Sequence, residues 1–236
     1  MTHLPESLAD SWRVSGRQSG ETSVLLATIS AETTLYEPTD PAIEASGQNE
    51  FPPRSLFIVD LTFSPSLSSV GVSPAAFRSR AADEAGTQFV DLLENRGASV
   101  AGKRDELEFE GPNGAAGRWR IYDVTFPIGR YGRDGGGAVP SAGETDDPSA
   151  ADSSERIAGN RGGSADDGDR IRAEAHVAVW PTDHTYGVAG GTLPLEEPIR
   201  EATEATLAID PERDRETISE FVGNVEIGGG DGPDDD

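Results

Sequence analysis

The chain has 236 residues, enough for one large domain or two small ones with a real core. Its 43 Asp and Glu outweigh 19 Lys and Arg, giving a formal charge of -24 and excluding nucleic acid as an expected partner, since phosphate binding needs clustered cations. With no cysteine, disulfides, zinc–thiolate sites and thiol nucleophiles are excluded outright.

The opening "MTHLPESLADSW" has no apolar signal core, and no 18-residue apolar run occurs anywhere. A soluble cytoplasmic protein without a membrane span is therefore expected, with residues 1–21 as an N-terminal arm. "SVLLATISAETTLYE" (Ser23 to Glu37) reads as a strand, a tight reversal near Ser30 to Glu32, and a short second strand. After a loop to Pro53, "SLFIVDLTF" alternates as a strand, with Phe57, Val59, Leu61 and Phe63 on one face and Asp60 and Thr62 on the other.

The segment from Ser73 to Gly97 predicts a long helix over about 74–95. Ser73 suits the N-cap and Pro74 the first helical position, where its missing N–H costs nothing. Phe77, Ala81, Ala85, Phe89 and Leu92 or Leu93 recur at helical spacing, Gly86 weakens the middle, and Gly97 suits the C′ position. A meander follows: a short strand closed by Val100, a polar turn at Lys103 to Asp105, the strand "ELEFE", the turn "GPNGAAG" and the long strand "RWRIYDVTFPI".

Residues 132–169 hold no aromatic residue and only Val139 and Ile157 as large apolar ones, so a disordered acidic insertion is expected there. Its closure entropy grows only logarithmically with length, so it interrupts one α+β domain, 22–227, without dividing it. "RIRAEAHVAVW" resumes as a strand with Ile171, Ala173, Ala175, Val177 and Val179 on one face. "PLEEPIREATEATLA" and "DPERDRETISEFVGNV" follow as C-terminal helices. In the second, Asp210 caps, Pro211 takes the first position, and Ile218, Phe221, Val222 and Val225 form the buried stripe. Residues 228–236 read as a disordered acidic tail.

The order of strands, helix, meander and terminal helices predicts the α+β class: one twisted antiparallel sheet covered by the long helix and the C-terminal helices.

Candidate sites centre on "VAVWPTDHTYGVAGG" (Val177 to Gly191). A turn over Pro181 to His184 would set Val179 opposite Tyr186, Val177 opposite Val188 and Ala175 opposite Gly190. His184 then lies at an exposed tip, and His176 points to the outer face. Ala173, Ala175 and Gly190 form a low patch where a helix backbone packs closely, or where a small apolar or planar ligand fits. The expected ligand-binding set is Trp180, Asp183, His184, Tyr186 and Gly190, with no catalytic residue assigned.

Other motifs fail on their chemistry. "GVAGG" lacks both the Rossmann spacing and a P-loop lysine. "GVSPA" (Gly71 to Ala75) departs from a nucleophile elbow, because Ala75 replaces the final glycine and Pro74 has no N–H for an oxyanion hole. "GGDGPD" (Gly229 to Asp234) and "DDGD" (Asp166 to Asp169) lack the repeats or the distal Glu of calcium loops. Neither a metal nor a cofactor is expected.

The region from Ser55 to Val225 resembles in its element order the αβα sandwich of the Mog1/PsbP-like proteins. That resemblance implies a non-enzymatic binding or assembly factor. The acidic composition, with Lys103 as the only lysine, resembles the proteins of salt-in halophilic archaea. The Trp-Pro turn and Ala-Gly-Gly strand resemble uncharacterised haloarchaeal proteins. Molar salt shortens the screening length to about 3 Å and removes the self-repulsion of such a charge, while carboxylates hold cations and water at the surface. The expected function is a non-catalytic binding or adaptor protein adapted to high salt, its partner a protein or small molecule. The alternative is a small-molecule enzyme using Asp183, His184 and Tyr186.

Overall fold

Segments rich in Val, Ile, Thr and aromatic residues form seven strands in the computed structural model, which describes residues 4–24, 27–39, 52–127, 170–196 and 209–225. They are β1 (Trp12–Val24), β2 (Ala27–Pro38), β3 (Ser55–Ser64), β4 (Ser99–Glu110), β5 (Ala116–Pro127), β6 (Arg170–Pro181) and β7 (Tyr186–Pro194). All pair antiparallel in one open sheet of order β1-β2-β3-β7-β6-β5-β4. The last strand enters the middle of the sheet, between β3 and β6. The expected insertion at 132–169, the tail at 228–236 and residues 197–208 of the expected helix "PLEEPIREATEATLA" lie outside the described residues, and Pro194 closes β7.

Among the described residues one helix packs on each face: α1 (Arg78–Asn95) against one, α2 (Pro211–Asn224) against the other. The α+β class with a single antiparallel sheet is thus present. Strand alternation sorts β6 between two cores: Ala173, Ala175, Val177 and Val179 join Phe89 and Leu93 of α1, while Ala178 and Trp180 join Ile218, Phe221 and Val222 of α2.

α2 begins as its sequence dictates. Asp210 accepts a hydrogen bond from the Arg213 backbone N–H at 3.1 Å, and Pro211 occupies the first helical turn. Replacing Asp210 by alanine is expected to cost about 1 kcal/mol, read as a lower urea midpoint at unchanged slope.

α1 departs from expectation at its start. Pro74–Phe77 form a 3-10 turn, the α-helix proper begins at Arg78, and the Ser73 side chain makes no capping bond. The buried stripe is accordingly rotated to Ala82, Gly86, Phe89 and Leu93, leaving Phe77 half exposed. The other end follows the sequence. Gly97 has φ +88°, its N–H donates to Glu94 O, and the Ala98 N–H donates to Leu93 O, a Schellman closure with both Leu93 and Ala98 buried.

Two strand boundaries also differ. β2 runs without a break through Ser30 to Glu32, because each of these residues pairs with β1 on one side and β3 on the other. The β1–β2 pairing extends instead to Val24 opposite Ala27, and most of the expected N-terminal arm, from Trp12 on, belongs to β1. The expected turn at Lys103 to Asp105 is a bulge within a single β4: Lys103 pairs with Tyr122, Asp105 with Ile121, and Arg104 is the extra residue. A bulge re-aims the side chain it carries, and Arg104 shows the consequence below.

Candidate functional site

The β6–β7 hairpin turns one residue later than its sequence suggests, which shifts every cross-strand pairing by two. Pro181 pairs with Tyr186, Val179 with Val188 and Val177 with Gly190, and the loop is Thr182 to Thr185. The Thr182 N–H donates to Thr185 O at 2.9 Å, and the Thr185 N–H donates to Thr182 Oγ1 at 3.0 Å, so the two threonines close the turn. A shift of two preserves which residues share a face but changes every partner.

The five expected ligand-binding residues are not brought together. Asp183 and His184 are exposed at the tip. Trp180 is buried on the α2 face, edge-on to Phe109 at 6.0 Å. Tyr186 is buried on the α1 face, where its hydroxyl donates to Pro74 O at 3.0 Å. Gly190 lies inside the sheet, where an added Cβ would overlap the His176 carbonyl oxygen and come within 2.9 Å of the Phe57 ring. A neighbouring strand and an aromatic ring, rather than a helix backbone or an open cavity, occupy the low patch at Gly190. The α2 helix approaches one residue on: a Cβ at Gly191 would meet Ile218 Cγ1 at 3.1 Å.

His176 corrects its expected placement: it leaves the α1 face as alternation requires, but the face it enters is covered, and it is buried. Beside it lies Glu174, whose side chain is 2% exposed. The Glu174 carboxylate uses all its acceptor positions. Oε1 accepts from Arg215 Nη2 at 2.7 Å and from Arg104 Nη1, and Oε2 accepts from Arg215 Nε at 2.8 Å. His176 Nε2 lies 3.2 Å from Oε2, and Trp119 Nε1–H donates to His176 Nδ1 at 3.1 Å. Trp119 has only a donor, so Nδ1 must accept, and Nε2 carries the proton given to Glu174.

Three elements assemble this centre. β6 supplies Glu174 and His176 two residues apart on one face, α2 supplies Arg215 one turn after its cap, and the β4 bulge turns Arg104 across the sheet. Burial alone would raise the Glu174 carboxyl pKa; hydrogen bonds from Arg215 and His176, with the Arg215 charge, overturn that and hold it well below the usual carboxylate range. Asp214 shows the opposite balance. Arg54 reaches its Oδ2 twice, at 2.8 and 3.0 Å, yet burial dominates and pushes its carboxyl up.

A family model described as a domain of unknown function (DUF6517) matches residues 9–226. The chain belongs to the DUF6517 family. No curated protein and no solved structure matches it.

In this DUF6517 chain the second helix–sheet tie mirrors the first on the opposite face. Arg120 of β5, buried, donates to Ala82 O at 2.8 Å, to Asp83 of α1, and to Glu106 of β4 at 3.1 Å. Gly86 is what admits it: a Cβ there would lie 2.7 Å from Arg120 Nη1 and 2.6 Å from the Tyr122 hydroxyl. The glycine that lowers helix propensity is required by the arginine beneath it.

Sequence reasoning missed Glu174, His176, Arg104 and Arg215 as a unit. One signal was available. Val177-Ala178-Val179-Trp180 is apolar without alternation, the mark of a strand buried on both faces, so polar residues just before it had to be buried and partnered. Nothing in the sequence announced the Arg104 bulge. Among the described residues no group of three metal-ligating side chains gathers, and no helix is long and apolar enough to cross a membrane.

Proposed function

We propose that this chain is a non-catalytic binding or adaptor protein of a high-salt cytoplasm. One observation carries this reading: the buried charge chemistry is closed on itself. Glu174 accepts from two arginines and a histidine, and both His176 nitrogens are engaged, so neither is left to take a proton from a ligand. Within the hairpin set, only Asp183 and His184 are where a partner can reach them, while Trp180, Tyr186 and Gly190 serve the two cores. Among the described residues, one helix on each face of the sheet supports the likeness to the Mog1/PsbP-like sandwich and to its binding and assembly factors.

The test is capture of a partner from a lysate in molar KCl, followed by reconstitution with that partner purified. A stoichiometric complex is expected. Turnover of a small molecule by the purified chain, abolished by His184→Ala, would overturn the reading in favour of an enzyme.

The high-salt reading is supported by the charge of -24 and the single lysine. Dilution from molar to low salt is expected to unfold the chain as repulsion among carboxylates lengthens in range. A circular dichroism spectrum unchanged by that dilution would overturn it.

A further inference from the structure

The two edges of the sheet are built differently. β4 is blunted: it carries two bulges, and Lys103, Glu106, Glu108 and Glu110 line it. Such bulges and charges discourage a second strand. β1 has a single bulge, at Ser15, and beyond it Gly16 to Val24 pairs with β2 in unbroken register. This stretch, "GRQSGETSV", has neither lysine nor proline, and among the described residues no strand pairs with its outer edge.

A second copy adding to that edge antiparallel, about a two-fold axis normal to the sheet, keeps each residue on its own face. Residue i then meets residue j with i and j both odd or both even. Centring the axis on Arg17 sets arginine against arginine, and centring it on Glu21 sets glutamate against glutamate. Centring it on Ser19 sets Arg17 of each copy opposite Glu21 of the other, twice, with Gln18 opposite Gly20 and Gly16 opposite Thr22. Arg17, Ser19 and Glu21 share the α2 face and are exposed, and neither Arg17 nor Glu21 forms an ion pair with a described residue. Glu21 borders an open groove with Glu32 and Asp60, so an incoming arginine offsets like charge already present. The other face of β1 is already engaged, through Arg96 Nη2 donating to Gln18 Oε1 at 2.7 Å. Gly16 and Gly20 have open space where a Cβ would stand, so nothing described lies over the sheet face at these two positions.

We infer that β1 is a self-association edge, through which two copies of this chain join in one continuous sheet centred on Ser19. The register makes the test specific. With no native cysteine, Ser19→Cys places two thiols directly across the axis, at a Cα separation of about 4.5–5.5 Å that a disulfide spans. Thr22→Cys places them roughly 20 Å apart. Mild oxidation is expected to cross-link the first and not the second. Sedimentation equilibrium, at the lowest KCl that keeps the native circular dichroism spectrum, is expected to show a dimer. Arg17→Glu and Glu21→Arg should each raise its dissociation constant about tenfold, since two contacts turn repulsive at once, and the double variant should restore it. A monomeric wild type, cross-linking of Thr22→Cys in place of Ser19→Cys, or a double variant no tighter than the singles would overturn the inference.

Discussion

Replacing Glu174 by glutamine is expected to destabilise the fold by about 3 kcal/mol, the lower end of what removing one partner from a buried charge pair costs. The magnitude follows from the asymmetry of the site. Glu174 is 2% exposed, whereas Arg215 and Arg104 are 40% and 48% exposed. Once the carboxylate is gone, the two guanidinium groups recover water by a small outward swing, which spares the larger penalty of a trapped cation. His176 has no such recourse, since its Nε2–H faces a partner that now accepts more weakly. Urea unfolding in molar KCl measures the loss, and a midpoint within experimental error of the wild type would show that the network contributes nothing net.

The same substitution has a pH signature of known sign. A carboxyl held below its unfolded value of roughly 4.3 contributes stability that is full above that value and is lost as pH falls toward the folded one. Many carboxylates titrate in this acidic chain, so the wild-type curve alone is not diagnostic. The difference between wild type and Glu174→Gln is: it is expected to be constant near neutrality and to shrink below about pH 4. A difference that stays constant to the acid limit would mean that Glu174 is not the carboxylate its geometry describes.

Glu174 and Arg120 give the architecture a common logic. The sheet is held to each helix by apolar packing and by an arginine–carboxylate tie, Arg215–Glu174 on the α2 face and Arg120–Asp83 on the α1 face, with Arg54, just before β3, adding Asp214 on the α2 side. Both ties draw on β4, an edge strand with little core of its own, through Arg104 and Glu106. The polar edge is thereby anchored to both layers. Its charged residues are structural members of the fold as well as a solvated rim.

Local signals in the sequence were sufficient wherever a residue acts on its own neighbours. Asp210 with Pro211, the Gly97 closure and the stripe Ile218, Phe221, Val222 and Val225 need no information from beyond one helix, and all stand as read. Residues whose partner is distant were read less well. Ser30 to Glu32 look like a turn because they are small and polar, but pairing on both sides holds them extended. Arg104 was lost in a supposed turn because a bulge is set by the partner strand. Phe77 looked like core because the helical period was extended back through what is a 3-10 turn. Of the candidate site, the sequence located the hairpin and its glycines, while the charge centre one strand-length earlier, spread over β4, β6 and α2, had no local signature.

Replacing Gly190 by alanine is expected to be as damaging as any single change in the chain, about 3 kcal/mol or more, although it adds one methyl group. Overpacking of a core ordinarily costs roughly 1–3 kcal/mol because side chains can adjust. Here the obstruction is backbone: the new Cβ would overlap the carbonyl oxygen of His176, on the strand paired with its own. The second obstacle, the Phe57 ring at 2.9 Å, is no freer, because it stacks on Phe89 of α1 with centroids 4.9 Å apart. Relief therefore requires moving β6 away from β7, and β6 carries Glu174 and His176 with it. The expected result is a large fall in urea midpoint, together with loss of the indole environment of Trp119, which donates to His176. Gly20→Ala is the control, since a Cβ there meets nothing within 4 Å, and it should shift the midpoint by less than about 0.5 kcal/mol. Equal midpoints for the two variants would refute the close approach that makes Gly190 a glycine.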